Sequence, residues 1–178
     1  DMIDWVKNLS EGEDAPWRSV NYTKINTFGQ EFSLRMDIPS LLMRKSFFVR
    51  TIDLSYSHIS QNKDLGVDKQ SKYALEYLRH KAVAHVGFNI WKSLGADLSW
   101  RWQDRVGNYE RYDKLAPTGQ MVSYKPYSLV DLRFAWTRKI YSVYLEANNL
   151  LDHTYYDYGN IPQPGITVKA GIVVNMRL

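Results

Sequence analysis

Along "ITVKAGIVVNMRL" at the end of the chain, Ile166, Val168, Ala170, Ile172, Val174, Met176 and Leu178 alternate with Thr167, Lys169, Gly171, Val173, Asn175 and Arg177. Side chains on a strand point to opposite faces in turn, so this segment predicts a β-strand with one wholly apolar face. The same split recurs upstream. In "YSLVDLRFAWTR" Val130, Leu132, Phe134 and Trp136 share a face, and in "YSVYLEAN" Tyr141, Val143, Leu145 and Ala147 do. "GADLSWRWQDR" and "KAVAHVGFNI" repeat it through Ala96, Leu98, Trp100 and Trp102, and through Ala82, Ala84, Val86, Phe88 and Ile90. "GQEFSLRMDI" and "FFVRTIDLSYSH" follow suit, the second with Arg50 interrupting its apolar face, and the opening "MIDWVKN" completes about eight predicted strands.

The connections fall into two classes that alternate. Those at about 39–46, 91–95 and 138–140 are short, whereas those at about 8–20, 59–72, 106–126 and 150–165 are long and polar. An up-and-down antiparallel meander with long loops at one end and short turns at the other is the pattern of an outer-membrane β-barrel.

A soluble sandwich also alternates, and three details separate the readings. The polar faces are densely ionised, with Glu31, Arg35, Asp37, Asp53, Lys81, Asp97, Arg101, Asp131, Arg133, Glu146, Lys169 and Arg177, while the opposite faces are almost free of charge. The alternation persists for the roughly 9–11 residues a strand needs to span a bilayer, beyond the roughly 5–6 of an ordinary strand. Aromatic residues collect near strand ends, as Trp91 does at one short turn and Trp136 and Tyr141 do at another, where an interfacial girdle would lie.

Composition fits this picture without deciding it. A mean hydropathy of −0.43 and the absence of any long apolar run exclude a transmembrane helix but not spanning strands. The net charge of +4 is scattered along the 178 residues, which argues against a nucleic-acid surface. Cysteine is absent, so disulfides, thiolate metal sites and cysteine nucleophiles are excluded together.

The closing third carries a more specific signal. Asn149-Leu150-Leu151-Asp152, then Tyr155, Tyr156 and Gly159, then Pro164-Gly165 before the last alternating strand, resemble the C-terminal signature of TonB-dependent outer-membrane receptors. Gly29-Gln30-Glu31 after "NYTKINTF", and "YLRHKAVAHVGFNIW", resemble two further strands of that family; Ile166 stands where the family often has arginine, and the chain closes on Leu178 rather than an aromatic residue. The resemblance implies that residues 1–178 form the C-terminal part of a barrel of roughly 22 strands. It implies a multi-pass protein of the outer membrane of a Gram-negative bacterium, importing a scarce nutrient with energy from TonB. It implies as partners the remaining N-terminal strands and plug of the same receptor, TonB through that N-terminal part, outer-membrane lipid, and a surface lipoprotein. "DMIDWVKN" with "EGEDAPW" resembles cobalamin receptors, so cobalamin or a metal chelate such as a siderophore complex is the expected cargo. The alternative is a self-contained eight-stranded outer-membrane barrel with a structural, adhesive or enzymatic role.

No cofactor is expected, and no catalytic constellation is visible, since neither a nucleophile elbow nor another local signature occurs. His85 sits on a polar face with Lys81 and Asn89 and reads as a hydrogen-bonded structural residue; His58, His80 and His153 lack the close spacing of a metal site. Recognition falls instead to the tyrosines of the long loops, Tyr109 and Tyr112 in "GNYERYDK" and Tyr155, Tyr156 and Tyr158 in "TYYDYGN". A tyrosine stacks on a ligand ring while its hydroxyl makes a directed hydrogen bond.

Overall fold

The computed structural model describes residues 2–12, 14–22, 25–63, 69–71, 76–114 and 116–175. The predicted strand end at Met176, Arg177 and Leu178 therefore lies outside the described residues, as does much of the predicted loop at 59–72. The elements in chain order are β1 (Met2–Asn8), β2 (Arg18–Tyr22), β3 (Ile25–Asp37), α1 (Ile38–Leu41), β4 (Val49–Lys63), β5 (Lys69–Ser71), β6 (Tyr77–Trp91) and β7 (Leu94–Val106). They continue with β8 (Asn108–Asp113), β9 (Ala116–Ser123), β10 (Tyr127–Thr137), β11 (Tyr141–Asn148), β12 (Tyr156–Tyr158), β13 (Ile161–Pro162) and β14 (Thr167–Val174). The chain is all-β, and every pairing among these strands is antiparallel.

Seven long strands form one meandering sheet in the order β14-β11-β10-β7-β6-β4-β3. The eighth predicted strand is not in it. β1 instead pairs with β2 and β5 in a separate three-stranded sheet. Its alternation gives no hint of this, because period two fixes which faces are apolar but not which neighbour a strand joins.

The register carries each face across the whole sheet. One row runs Met36, Ile52, Val86, Leu98, Leu132, Ala147 and Val168 over seven strands, and the next runs Phe88, Ala96, Phe134, Leu145 and Ala170. On the other face Asp97, Arg133, Glu146 and Lys169 stand opposite one another in sequence, alternating in sign, as do Arg35 and Asp53. Opposite charges facing across antiparallel strands stabilise the pairing, by about 0.2–1 kcal/mol each.

The apolar belt is uncovered. Phe32 is 64% exposed and Ile172 68%, and no large side chain in the described chain is fully buried. The accessible surface is 13008 Å², whereas a compact monomer of this mass exposes about 9,000 Å². A soluble sandwich would have packed that belt against a second sheet. Here the seven strands of the meander form a single sheet, and the described edges of β3 and β14 do not pair with each other.

One sequence-based placement is corrected. Arg50 does not interrupt the apolar face, because a bulge between Val49 and Thr51 turns it to the polar one. An extra residue in one strand shifts the side-chain alternation locally, which the sequence pattern does not reveal.

Candidate functional site

The two long connections that hold the predicted tyrosines are themselves hairpins. β8 and β9 pair from Asn108 opposite Ser123 to Asp113 opposite Ala116, and β12 pairs with β13 through Tyr156 and Tyr158. Both rise from the same end of the sheet, above the start of β10. Just beneath them a cluster of residues is buried: Gln103, Asp104, Tyr124, Tyr127, Leu129 and Asn149.

The motif at Asn149–Asp152 ties that end together. Asn149, 4% exposed, and Asp152 adopt left-handed backbone angles, φ 52 and 47, which Asn and Asp tolerate better than other residues with a Cβ. The Asn149 amide donates to the carbonyls of His153 at 3.0 Å and Pro164 at 3.2 Å, and its oxygen accepts from His153 N–H at 3.0 Å. Its backbone N–H donates to Asp131 Oδ1 at 2.8 Å, and Asp152 Oδ1 accepts from Ile166 N–H at 3.0 Å. A Cβ at Gly165 would lie 2.5 Å from that same Asp152 oxygen. The Asn-Leu-Leu-Asp and Pro-Gly segments, separated in sequence, are thus one knot closing the ends of β10, β11 and β14.

Above the knot the tyrosines converge. The ring of Tyr109 stacks on Tyr156 with centroids 5.1 Å apart and meets Tyr124 at 5.2 Å, and Tyr127 packs on Tyr155 at 4.5 Å. The Tyr124 hydroxyl accepts from Gly159 N–H at 2.7 Å and donates to Glu76 at 3.1 Å, joining the two hairpins to the start of β6. The Tyr127 hydroxyl donates to the Asp157 carboxylate and lies 2.6 Å from the Gln103 side-chain oxygen. Burial pushes the Tyr124 phenol up to about 12 and raises Tyr109 and Tyr155 in the same direction. Burial also raises Glu76, against the opposing pull of Tyr124 and Arg105.

The ring pairs Tyr109 with Tyr156 and Tyr127 with Tyr155 border a concavity of about 600 Å³, a size suited to a small ligand. Tyr109, Tyr112, Tyr155 and Tyr156 line it together with Tyr127, Arg111, Lys125 and His153. Tyr158, the fifth predicted residue, does not line it and is 60% exposed at the end of β12. Sequence reading missed Tyr127, Arg111, Lys125 and His153. The run Tyr124-Lys125-Pro126-Tyr127 leads into β10 at the same end as the hairpins, which is the signal that could have found two of them.

The histidines fall elsewhere. His85 hydrogen bonds Ser99 at 3.0 Å and lies 3.6 Å from Asp97 on the polar face. His58 and His80, far apart in sequence, are brought opposite each other by the β4–β6 register, with rings stacked at 4.5 Å. Sequence spacing could not show this pair. Among the described residues no three His, Asp or Glu side chains converge on one point as metal ligands.

Comparison with known protein families, with characterised proteins and with solved structures finds no match to this chain.

Proposed function

We propose that this chain is the C-terminal part of the barrel of a TonB-dependent outer-membrane receptor, forming wall and outer loops for the active import of a scarce nutrient. The observation that carries the reading is the uncovered apolar belt crossing all seven meander strands, backed by a face of alternating charge. Hydrocarbon is the solvent that such a belt satisfies, and a water-filled or plugged interior is the one that suits the charged face.

Hydrocarbon also leaves no place for the edges of β3 and β14, which have no partner among the described residues, since an unpaired backbone group there costs several kcal/mol. The remaining strands of a larger barrel, expected to total roughly 22, would cover both edges. The tyrosine-lined concavity at the long-loop end then faces the outside and receives the cargo, a cobalamin-like molecule or a metal chelate. Plug, TonB contact and any surface lipoprotein belong to the rest of the assembly.

The test is growth on the nutrient as sole source in cells producing the complete receptor. Growth that requires TonB, and falls when Tyr109 and Tyr156 are both changed to Ala, supports the reading. Growth or uptake indifferent to loss of TonB overturns it.

A further inference from the structure

Three connections join the strands at the end away from the tyrosine hairpins: residues 38–48 between β3 and β4, 92–93 between β6 and β7, and 138–140 between β10 and β11. They carry Arg44, Lys45, Lys92, Arg138 and Lys139, all exposed, and no carboxylate. The acidic side chains on the adjoining strand ends are already engaged. Asp37 caps α1 by accepting from Ser40 N–H at 2.9 Å, Asp97 holds Arg50 at 2.7 Å, and Asp53 pairs with Arg35. Among the described residues none of the five cations makes an ion pair. The connections at the opposite end mix signs, as in Glu110-Arg111 and Asp113-Lys114.

Each of the three turns also seats one cation over an aromatic ring. Arg44 lies 5.8 Å from the Phe47 centroid, Lys92 5.4 Å from Trp91 and Arg138 5.2 Å from Trp136. An aromatic ring at a strand end marks the level of the headgroups, and a cation held over it stands at that level. Successive turns are two strand widths apart, roughly 10 Å, so the arrangement repeats along the rim.

We propose that these turns form a basic collar that docks on anionic phospholipid headgroups at the short-turn surface of the membrane. The proposal rests on the membrane reading given above. Charge complementarity selects the occupant, because five unpaired cations beside exposed apolar Leu41, Leu42, Met43 and Ile140 meet both the anionic headgroup and the acyl boundary beneath it.

The experiment measures co-flotation of the complete receptor with vesicles of phosphatidylcholine alone and with vesicles containing added phosphatidylglycerol. Three proteins are compared: the native receptor; a collar variant with Arg44, Lys45, Lys92, Arg138 and Lys139 all changed to Gln; and a charge-matched control with Arg18, Lys69, Arg111, Lys114 and Lys125 changed to Gln. A cation near an anionic surface changes partitioning by roughly fivefold. The native receptor is expected to prefer the anionic vesicles by tenfold or more, the collar variant to lose that preference, and the control to keep most of it. Rising salt should erase the native preference in parallel, a readout that needs no variant to fold. Equal losses in collar and control variants, or a salt-independent native receptor that floats on both vesicles, overturn the collar and leave the membrane reading standing. Failure of the native receptor to float on either vesicle overturns both.

Discussion

The guanidinium of Arg50 reaches Asp97 on a strand two places away, Nη2 to Oδ1 at 2.7 Å, by passing directly over Gly87. A Cβ at position 87 would stand 2.9 Å from that guanidinium and 2.6 Å from the Thr51 hydroxyl. The bulge at Arg50 and the glycine opposite therefore act together. Gly87→Val should displace Arg50 and leave Asp97 without its partner, lowering stability by about 1–3 kcal/mol, whereas Gly29→Ala, where the nearest atom to a new Cβ is 3.6 Å away, should cost under about 1 kcal/mol. Denaturant midpoints of the two variants at unchanged slope check the contrast.

Asn149→Ala removes three side-chain hydrogen bonds from a buried position and strands the carbonyls of His153 and Pro164. The expected loss is about 2–3 kcal/mol. Asp152→Ala, more exposed and with a single backbone partner at Ile166, should cost about 1 kcal/mol. If both substitutions cost the same small amount, the knot is not what holds the ends of β10, β11 and β14.

Tyr109 and Tyr156 should act as one unit in ligand capture. Each change to Ala is expected to weaken binding several-fold, and the double variant should lose less than the product of the two, because removing either ring already breaks the stack at 5.1 Å. Tyr158→Ala, outside the concavity, should leave binding unchanged. Ligand affinities across this double-mutant cycle decide the point.

The Tyr124 phenol, raised to about 12 in the fold from an ordinary value near 10, predicts an alkaline transition. A raised value means that the protonated form is favoured in the folded state. Its contribution is present in full below about pH 10 and is lost as pH climbs towards 12. A phenolate absorbance titration should show several late-ionising tyrosines, of which Tyr124→Phe removes one, with the separation of the two hairpins following the Tyr124 part of the curve.

The strands were legible because spanning or half-buried sheets force period two, and seven of the eight predicted segments do lie side by side in the predicted order. The placement of β1 was not, since its partners at Arg18–Tyr22 and Lys69–Ser71 are chosen by long-range pairing. Arg50 lies on the polar face against its sequence pattern because one inserted residue shifts the alternation without altering composition. Of the candidate site, the tyrosines of the two hairpins stood out as polar-loop aromatics, but their convergence with Tyr127, Arg111, Lys125 and His153 depends on how β8–β9 and β12–β13 fold back over β10. The Asn-Leu-Leu-Asp and Pro-Gly segments were visible as a signature, while the hydrogen bonds that join them were not.

The central claim is that the two faces of the meander meet different solvents. The most direct measurement places the same charge on neighbouring residues of β7 and follows assembly and stability of the proposed receptor, at full length, in a bilayer. Leu98 sits on the apolar belt, between Val86 and Leu132, and Ser99 sits on the polar face, between His85 and Asp131. Leu98→Arg is predicted to destabilise by about 2–4 kcal/mol, the cost of arginine facing lipid near mid-depth, and Ser99→Arg by less than about 1 kcal/mol. Equal tolerance of both substitutions, or a larger loss at Ser99, would contradict the account.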